Sequence, residues 1–230
     1  MKETERRLGF LMESFEDSGM SVATMLADAN LNTKKKIQGL EAGVVQSTKE
    51  TVYERILEYL QVEGYPSELN DDFTESNVND LVYTVVVPII SAFRQKTHHQ
   101  LRLKREKQII AADLKMGGRE EFVMVDMVSV DEKKYIFVVE GKKSSLGQAK
   151  RQCLLALKDM GEENGGGVVY GFVTSGEYWQ MLKNDGGNFS QTDTIRVLFH
   201  GMAKERKKWM EEGATIVDCI HTALRCGGFF

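Results

Sequence analysis

The segment Tyr135-Ile136-Phe137-Val138-Val139 lies between the charged turn Asp131-Glu132-Lys133-Lys134 and the polar triplet Glu140-Gly141-Lys142, and it restricts the fold more than any other stretch. Five consecutive apolar or aromatic residues, three of them β-branched, read as a strand buried on both faces. Such a strand needs a packing layer above it and another below, which a sheet flanked by helices provides. Helices to supply those layers are legible on either side of it. Thr74 is placed to cap a helix with Glu75 in its first turn, and Val78, Leu81, Val82, Val85, Val86, Ile89 and Ile90 line one face. Pro88 is placed to kink that helix. Downstream, residues 146–160 form an amphipathic pattern that turns Ala149, Cys153, Leu154 and Leu157 inward.

Between the two helices the period changes from helical to alternating. Leu101 and Leu103 alternate with charge, residues 108–116 form another candidate strand, and residues 122–130 are rich in valine and methionine. A hairpin around residues 131–134 then joins 122–130 to 135–142 in an antiparallel meander. After a glycine-rich break at 161–167, strands are expected at 168–174 and 194–199, with a short one at 178–182 between them, and residues 202–226 read as helical. Residues 1–62 are helical and charged, and Gly64-Tyr65-Pro66-Ser67 supplies turn chemistry. The expected organisation is an N-terminal helical region, 1–66, and an α/β domain, 67–230, with a mixed central sheet flanked by helices.

Composition removes several alternatives. The chain has 230 residues, 42% apolar, and only two prolines, so it has material for a full core and none for proline-rich linkers. Three cysteines without a C-x-x-C pair build neither a disulfide framework nor a structural zinc site, which suits a reducing, intracellular setting. No apolar run reaches membrane-spanning length and the N-terminus has no signal-peptide pattern. The net charge of −4 gives no global attraction to nucleic acid, so phosphate contacts must come from local clusters. One cluster is Arg94, Lys96, Arg102, Lys104, Arg105 and Lys107, and a second is Lys204, Arg206, Lys207 and Lys208. The glycines at 165–167 lack the ending of a phosphate loop. Neither His98-His99 nor Cys219-Ile220-His221 has zinc-ligand spacing, and Trp179 and Trp209 read as packing residues.

Chemistry concentrates where the buried strand ends. The period of two puts Glu140 and Lys142 on one face with Gly141 on the other. The hairpin places Asp126 roughly opposite Glu140, an acid interrupting an apolar run, costly to bury unless it holds a cation. Two carboxylates can grip a hard divalent ion through oxygen, and a lysine beside them can stabilise charge or position a water.

With Phe137-Val138-Val139-Glu140-Gly141-Lys142-Lys143 and an acid on the preceding strand, the chain resembles the PD-(D/E)XK nuclease superfamily, the restriction-endonuclease-like fold, over roughly residues 74–199. Val125 stands where that family usually has proline, and Glu121 or Asp113 could take the place of Asp126. The Tyr170-to-Trp179 run resembles Crinkler-effector-type members from fungi and oomycetes. The resemblance implies a Mg²⁺- or Mn²⁺-dependent endonuclease acting on DNA, with RNA as the other substrate. It implies Asp126, Glu140 and Glu75 as metal ligands, Lys142 at the attacking water or scissile phosphate, and Gln152 as an orienting residue. Lys143, Lys150, Arg151, Arg102, Lys104 and Arg105 would engage phosphates. A homodimer would let two such sites cut both strands, and an effector-type member would act inside a cell, the nucleus included. The competing expectation is an inactive nuclease-fold module that binds nucleic acid or a protein.

Overall fold

The structure, a computed structural model, describes residues 2–32, 37–67, 72–97, 99–108, 119–128, 132–144 and 146–228. The N-terminal region holds α1 (Lys2–Leu8), α2 (Met12–Glu16), β1 (Gly19–Met20), α3 (Val22–Asn32) and α4 (Ala42–Val62). Then come α5 (Glu75–Thr97), β2 (Leu101–Gln108), β3 (Arg119–Met127), β4 (Lys133–Gly141), α6 (Leu146–Glu163) and β5 (Val169–Thr174). The chain finishes with β6 (Tyr178–Asp185), β7 (Asn188–Thr192), β8 (Ile195–Arg196), a 3-10 turn at Met202–Lys204, α7 (Arg206–Glu211) and α8 (Thr215–Cys226).

The strands form one mixed sheet in the order β1-β7-β6-β5-β4-β3-β2, with β8 paired to β6. As the sequence predicts, β2, β3 and β4 form an antiparallel meander. The α6 crossover then sets β5 parallel to β4, as a parallel pair requires. Residues Tyr135 to Gly141 of β4 are all buried, because helices cover both faces. On one face Val123, Val125, Val138, Val169 and Val173 meet Ala149, Cys153, Leu154 and Leu157 of α6. On the other, Met124, Phe137, Val139, Phe172 and Trp179 meet Val82, Val85, Val86, Ile89 and Phe93 of α5 and Ile216, Ile220 and Leu224 of α8. Each large apolar side chain buried in this way contributes about 1.5–3 kcal/mol.

Residues of the N-terminal region join the same packing. Met25, Ala29, Val52, Tyr53 and Ile56 share the core that contains Phe137, and β1 adds a parallel strand to β7. Among the described helices α5 alone has the length and apolarity to cross a membrane. Its apolar face lies on the sheet, with Val78, Leu81, Val82, Val85, Val86, Ile89, Ile90 and Phe93 buried. The helix runs through Pro88 without a break in its assignment.

Three expectations change. The strand placed at 178–182 extends to Asp185 and returns as β7 through Gly186-Gly187, both at positive φ (60° and 97°), the requirement of a two-residue hairpin turn with right-handed twist. The strand placed at 194–199 keeps only Ile195–Arg196, and Val197, Leu198 and Phe199 continue as a buried connection. Of the strand placed at 108–116, Gln108 closes β2 and residues 109–118 lie outside the described residues.

The β3–β4 pairing contains a bulge. Met124 pairs with Phe137 and Val125 with Tyr135, leaving Ile136 as the extra residue. Asn164, just after α6, fixes this point: its Oδ1 accepts the Tyr135 N–H at 2.9 Å and its Nδ2 donates to the Tyr135 carbonyl at 2.7 Å. Beyond the bulge Phe137 and Val139 face α5 while Val138 faces α6, so the pleat gives Glu140 the α6 side.

Two packing details generate stability predictions. A Cβ on Gly171 would stand 2.3 Å from Cys153 Sγ, so α6 approaches β5 as closely as it does because no side chain intervenes. Gly171→Ala is expected to cost about 1–3 kcal/mol of stability by overpacking, read as a lower urea midpoint. In α8, His221 Nε2 accepts the Leu40 N–H at 3.0 Å, and burial, helped by Arg225, pushes the imidazole down to about 4. The neutral form is the folded one, so its contribution is complete above the ordinary value near 6.5 and is lost as pH falls from there toward 4. Urea midpoints should drop between pH 7 and pH 5, and His221→Gln should flatten that part of the profile.

Candidate active site

Glu140 ends the buried part of β4 and is 1% exposed. The ladder to β5 does not stop there. Gly141 pairs with Thr174, and the Lys142 N–H donates to the Thr174 carbonyl at 2.9 Å, so the backbone under Lys142 is held by sheet pairing. The Lys142 ammonium makes an ion pair with the Glu75 carboxylate, 67 positions earlier in the chain. Glu75 is the first residue of α5. It is fixed there by a cap: Asn77 Oδ1 accepts from both the Thr74 N–H, at 2.8 Å, and the Thr74 hydroxyl, at 2.9 Å. A carboxylate in this first turn is also favoured by the helix dipole. The sheet end and the α5 N-terminus therefore bring Lys142 and Glu75 together, two residues beyond Glu140.

Asp126 is not in that place. It pairs with Lys134, not Glu140, which puts it ~20 Å away along β4 at about 3.3 Å per residue. Charge places the turn at residues 131–134, but Lys133 and Lys134 already belong to β4 and β3 stops at Met127. A hairpin centre displaced toward the N-terminus moves every partner by twice as much, which accounts for the error. Phe122 pairs with Val139, so the same ladder carries Glu121 to the position across from Glu140. Val123 and Val125 of β3 face α6, the side that Glu140 takes on β4. Glu121 was one of the two alternatives for the upstream acid. Its side chain lies outside the described residues, and the other alternative, Asp113, lies there entirely.

Asp126 instead belongs to a pair the sequence did not reveal. Its carboxylate is buried, and Oδ2 is 2.6 Å from His99 Nδ1. His99 precedes β2, whose Leu101 is the register partner of Asp126, so only the strand pairing exposes the link.

The basic residues separate into groups. Lys150, expected on phosphate, is buried and bonded to Glu16 of α2 at 3.0 and 3.1 Å, so that expectation is corrected: its charge is taken up inside the protein. Lys143 follows the site directly, with Nζ 5.7 Å from the centre of the Phe73 ring. Arg151 is partly exposed on α6. Arg102, Lys104 and Arg105 are exposed on β2, the last strand of the sheet order on that side. Arg105 pairs with Phe122, level with the Glu140 end, and its guanidinium lies 5.2 Å from the Phe122 ring and 5.7 Å from Tyr83. With Arg94 and His99, Arg102 and Arg105 line a groove of ≈ 930 Å³ between α5 and β2. Gln152 sits on α6 with its Oε1 buried and without a hydrogen-bond partner.

Among the described residues no three His, Cys, Asp or Glu side chains gather as a ready cation site. No protein-family model matches the chain, and no curated protein matches it in sequence.

The His99–Asp126 pair carries a stability prediction. Asp126→Ala removes a buried charge-assisted hydrogen bond and should cost about 1–3 kcal/mol, measured by urea denaturation.

Proposed function

We propose that this protein is a metal-dependent nuclease that hydrolyses phosphodiester bonds in DNA, with its active site at the C-terminal end of β4. The observation that carries the reading is the ion pair between Lys142, two residues beyond buried Glu140 on a rigid strand end, and Glu75 at the α5 N-terminus. The order α5-β2-β3-β4-α6-β5, an antiparallel meander followed by a crossover to a parallel strand, supports it, because it is the order that the PD-(D/E)XK resemblance implies.

The acids suit a hard divalent cation in kind: the register that pairs Phe122 with Val139 continues to Glu121 and Glu140, and both residue types carry carboxylate oxygens. These two would hold Mg²⁺ or Mn²⁺, with Glu75 as a further oxygen donor. When bound, the ion supplies Lewis-acid stabilisation of the charge that develops on the phosphate and acidifies a water. Lys142 contributes a fixed positive charge for the attacking water or a phosphate oxygen. Glu75 orients that ammonium, and the β4–β5 ladder keeps its backbone in place. Burial of Glu140 keeps bulk water away from its carboxylate, which strengthens its interactions. Phosphates flanking the cut would be met by Lys143 and by Arg105, Arg102 and Lys104 along β2, making binding salt-dependent.

A supercoiled plasmid tests the reading. Nicking is expected with Mg²⁺ or Mn²⁺ and not with EDTA, and Lys142→Ala should lower the rate by at least about 10²-fold with the fold retained. Glu121→Gln should abolish cleavage, whereas Asp126→Asn should leave it. Absence of cleavage of DNA and of RNA by the folded wild type would instead favour an inactive module on the same scaffold.

A further inference from the structure

On the side of the site away from β2, exposed Tyr178, Arg196 and His200 and half-buried Tyr65 form a shelf of rings around one ion pair. Tyr178 opens β6 and is 38% exposed, whereas both tryptophans are fully buried. The Arg196 guanidinium lies 5.7 Å from its ring centre and is bonded to Glu177, with Nη2 at 2.7 Å. Tyr65 adjoins this ion pair, since burial and the Glu177 carboxylate together push its hydroxyl up to about 12. Exposed His200 stacks on the Tyr65 ring with centroids 3.9 Å apart and planes 23° from parallel.

The shelf's position is set by the sheet. Gly141 pairs with Thr174, and Thr174 pairs with Trp179. Residues 175–178 close a tight turn in which the Ser175 N–H donates to the Tyr178 carbonyl at 3.1 Å and the Tyr178 N–H donates to Ser175 Oγ at 3.3 Å. Tyr178 therefore lies two strands across from Lys142, about 10 Å at the usual interstrand spacing. That is a span the nucleotide beside a scissile phosphate can cover.

Charge indicates which part of a nucleotide the shelf takes. Arg196 is neutralised by Glu177, so the shelf offers flat ring faces without net positive charge, unlike the β2 side with Arg94, Arg102, Lys104 and Arg105. A phosphate gains little there, whereas a nucleobase gains stacking and contact with a guanidinium plane. In a duplex the base faces are already stacked on their neighbours, so a ring shelf can be used only by an unpaired base.

Resting on the nuclease reading above, we infer that Tyr178, Arg196, Tyr65 and His200 form a stacking platform for an unpaired nucleobase next to the bond that is cut. The substrate class is then a single strand, or a duplex carrying unpaired nucleotides, with its phosphates along β2 and Lys143 and one base on the shelf.

The test uses the full chain in EDTA and a single-stranded oligodeoxynucleotide containing 2-aminopurine, beside its perfectly paired duplex. The single strand should bind more tightly than the duplex, and the 2-aminopurine emission should be quenched. Tyr178→Ala with His200→Ala should weaken single-strand binding by about five- to hundred-fold, remove the quenching and affect the duplex less. Tyr178→Phe, which keeps the ring, should retain both signals and guards against a folding artefact. Unchanged affinity and quenching in the double variant, or a preference for the duplex, would overturn the platform. Metal-dependent plasmid nicking by the same wild-type preparation would show in that case that the nuclease reading survives, and loss of both binding and nicking would remove the two together.

Discussion

Asn164 holds both backbone groups of Tyr135 with one side-chain amide, and the geometry of β4 depends on that grip. The bulge it fixes inserts Ile136 without a partner on β3. Because side chains alternate along a strand, one inserted residue reverses the facing of all that follow. Phe137 and Val139 thus reach the α5–α8 core, Val138 reaches α6, and Glu140 emerges on the α6 side. The bulge also draws in the end of the chain: a Cβ on Gly227 would lie 2.8 Å from both Ile136 Cγ2 and the Ile136 carbonyl, and the Gly228 N–H donates to the Val168 carbonyl at 2.7 Å. The site therefore inherits its orientation from contacts more than 20 residues away in sequence.

The sequence disclosed those elements whose residues carry a strong local period. The apolar face of α5, the amphipathic α6 and the all-apolar centre of β4 are visible because burial on one stripe or on both faces leaves a pattern in the residue types. Glu140, Lys142 and Glu75 were legible for the same reason, each sitting at the end of an element whose pattern was clear. Register was not legible. Charge marks residues 131–134 as the hairpin turn, but a lysine is tolerated at the start of a strand that leaves the sheet end exposed, and Lys133 is indeed exposed. That shift is what sets Asp126 apart from Glu140 and brings the position of Glu121, the alternative acid, level with it. The His99–Asp126 pair and the Lys150–Glu16 bond depend on strand and helix neighbours that no local pattern encodes. The Gly186-Gly187 turn did carry a local signal, a Gly-Gly pair between alternating segments, and could have been read.

Charge is divided in a way that the overall value of −4 conceals. Lys150 and Arg7 are turned inward, onto Glu16 and Asp159, where they fasten the N-terminal helices to α6. Exposed positive charge collects along β2, where charged residues also discourage edge-to-edge association of a terminal strand. The same side chains thus protect the sheet and offer a phosphate track.

The parallel pairing of β1 with β7 joins Gly19 to Gln191 and Met20 to Thr192, and Gln191 Nε2 also reaches the Phe15 carbonyl at 2.6 Å. During synthesis the partners of these early residues do not exist until most of the chain has left the ribosome. Pairing β1 with β7 therefore closes a loop that holds β2 to β6, a cost that grows only slowly with loop length. A two-residue strand thus ties the two ends of the fold together and raises its contact order, the property that sets folding speed.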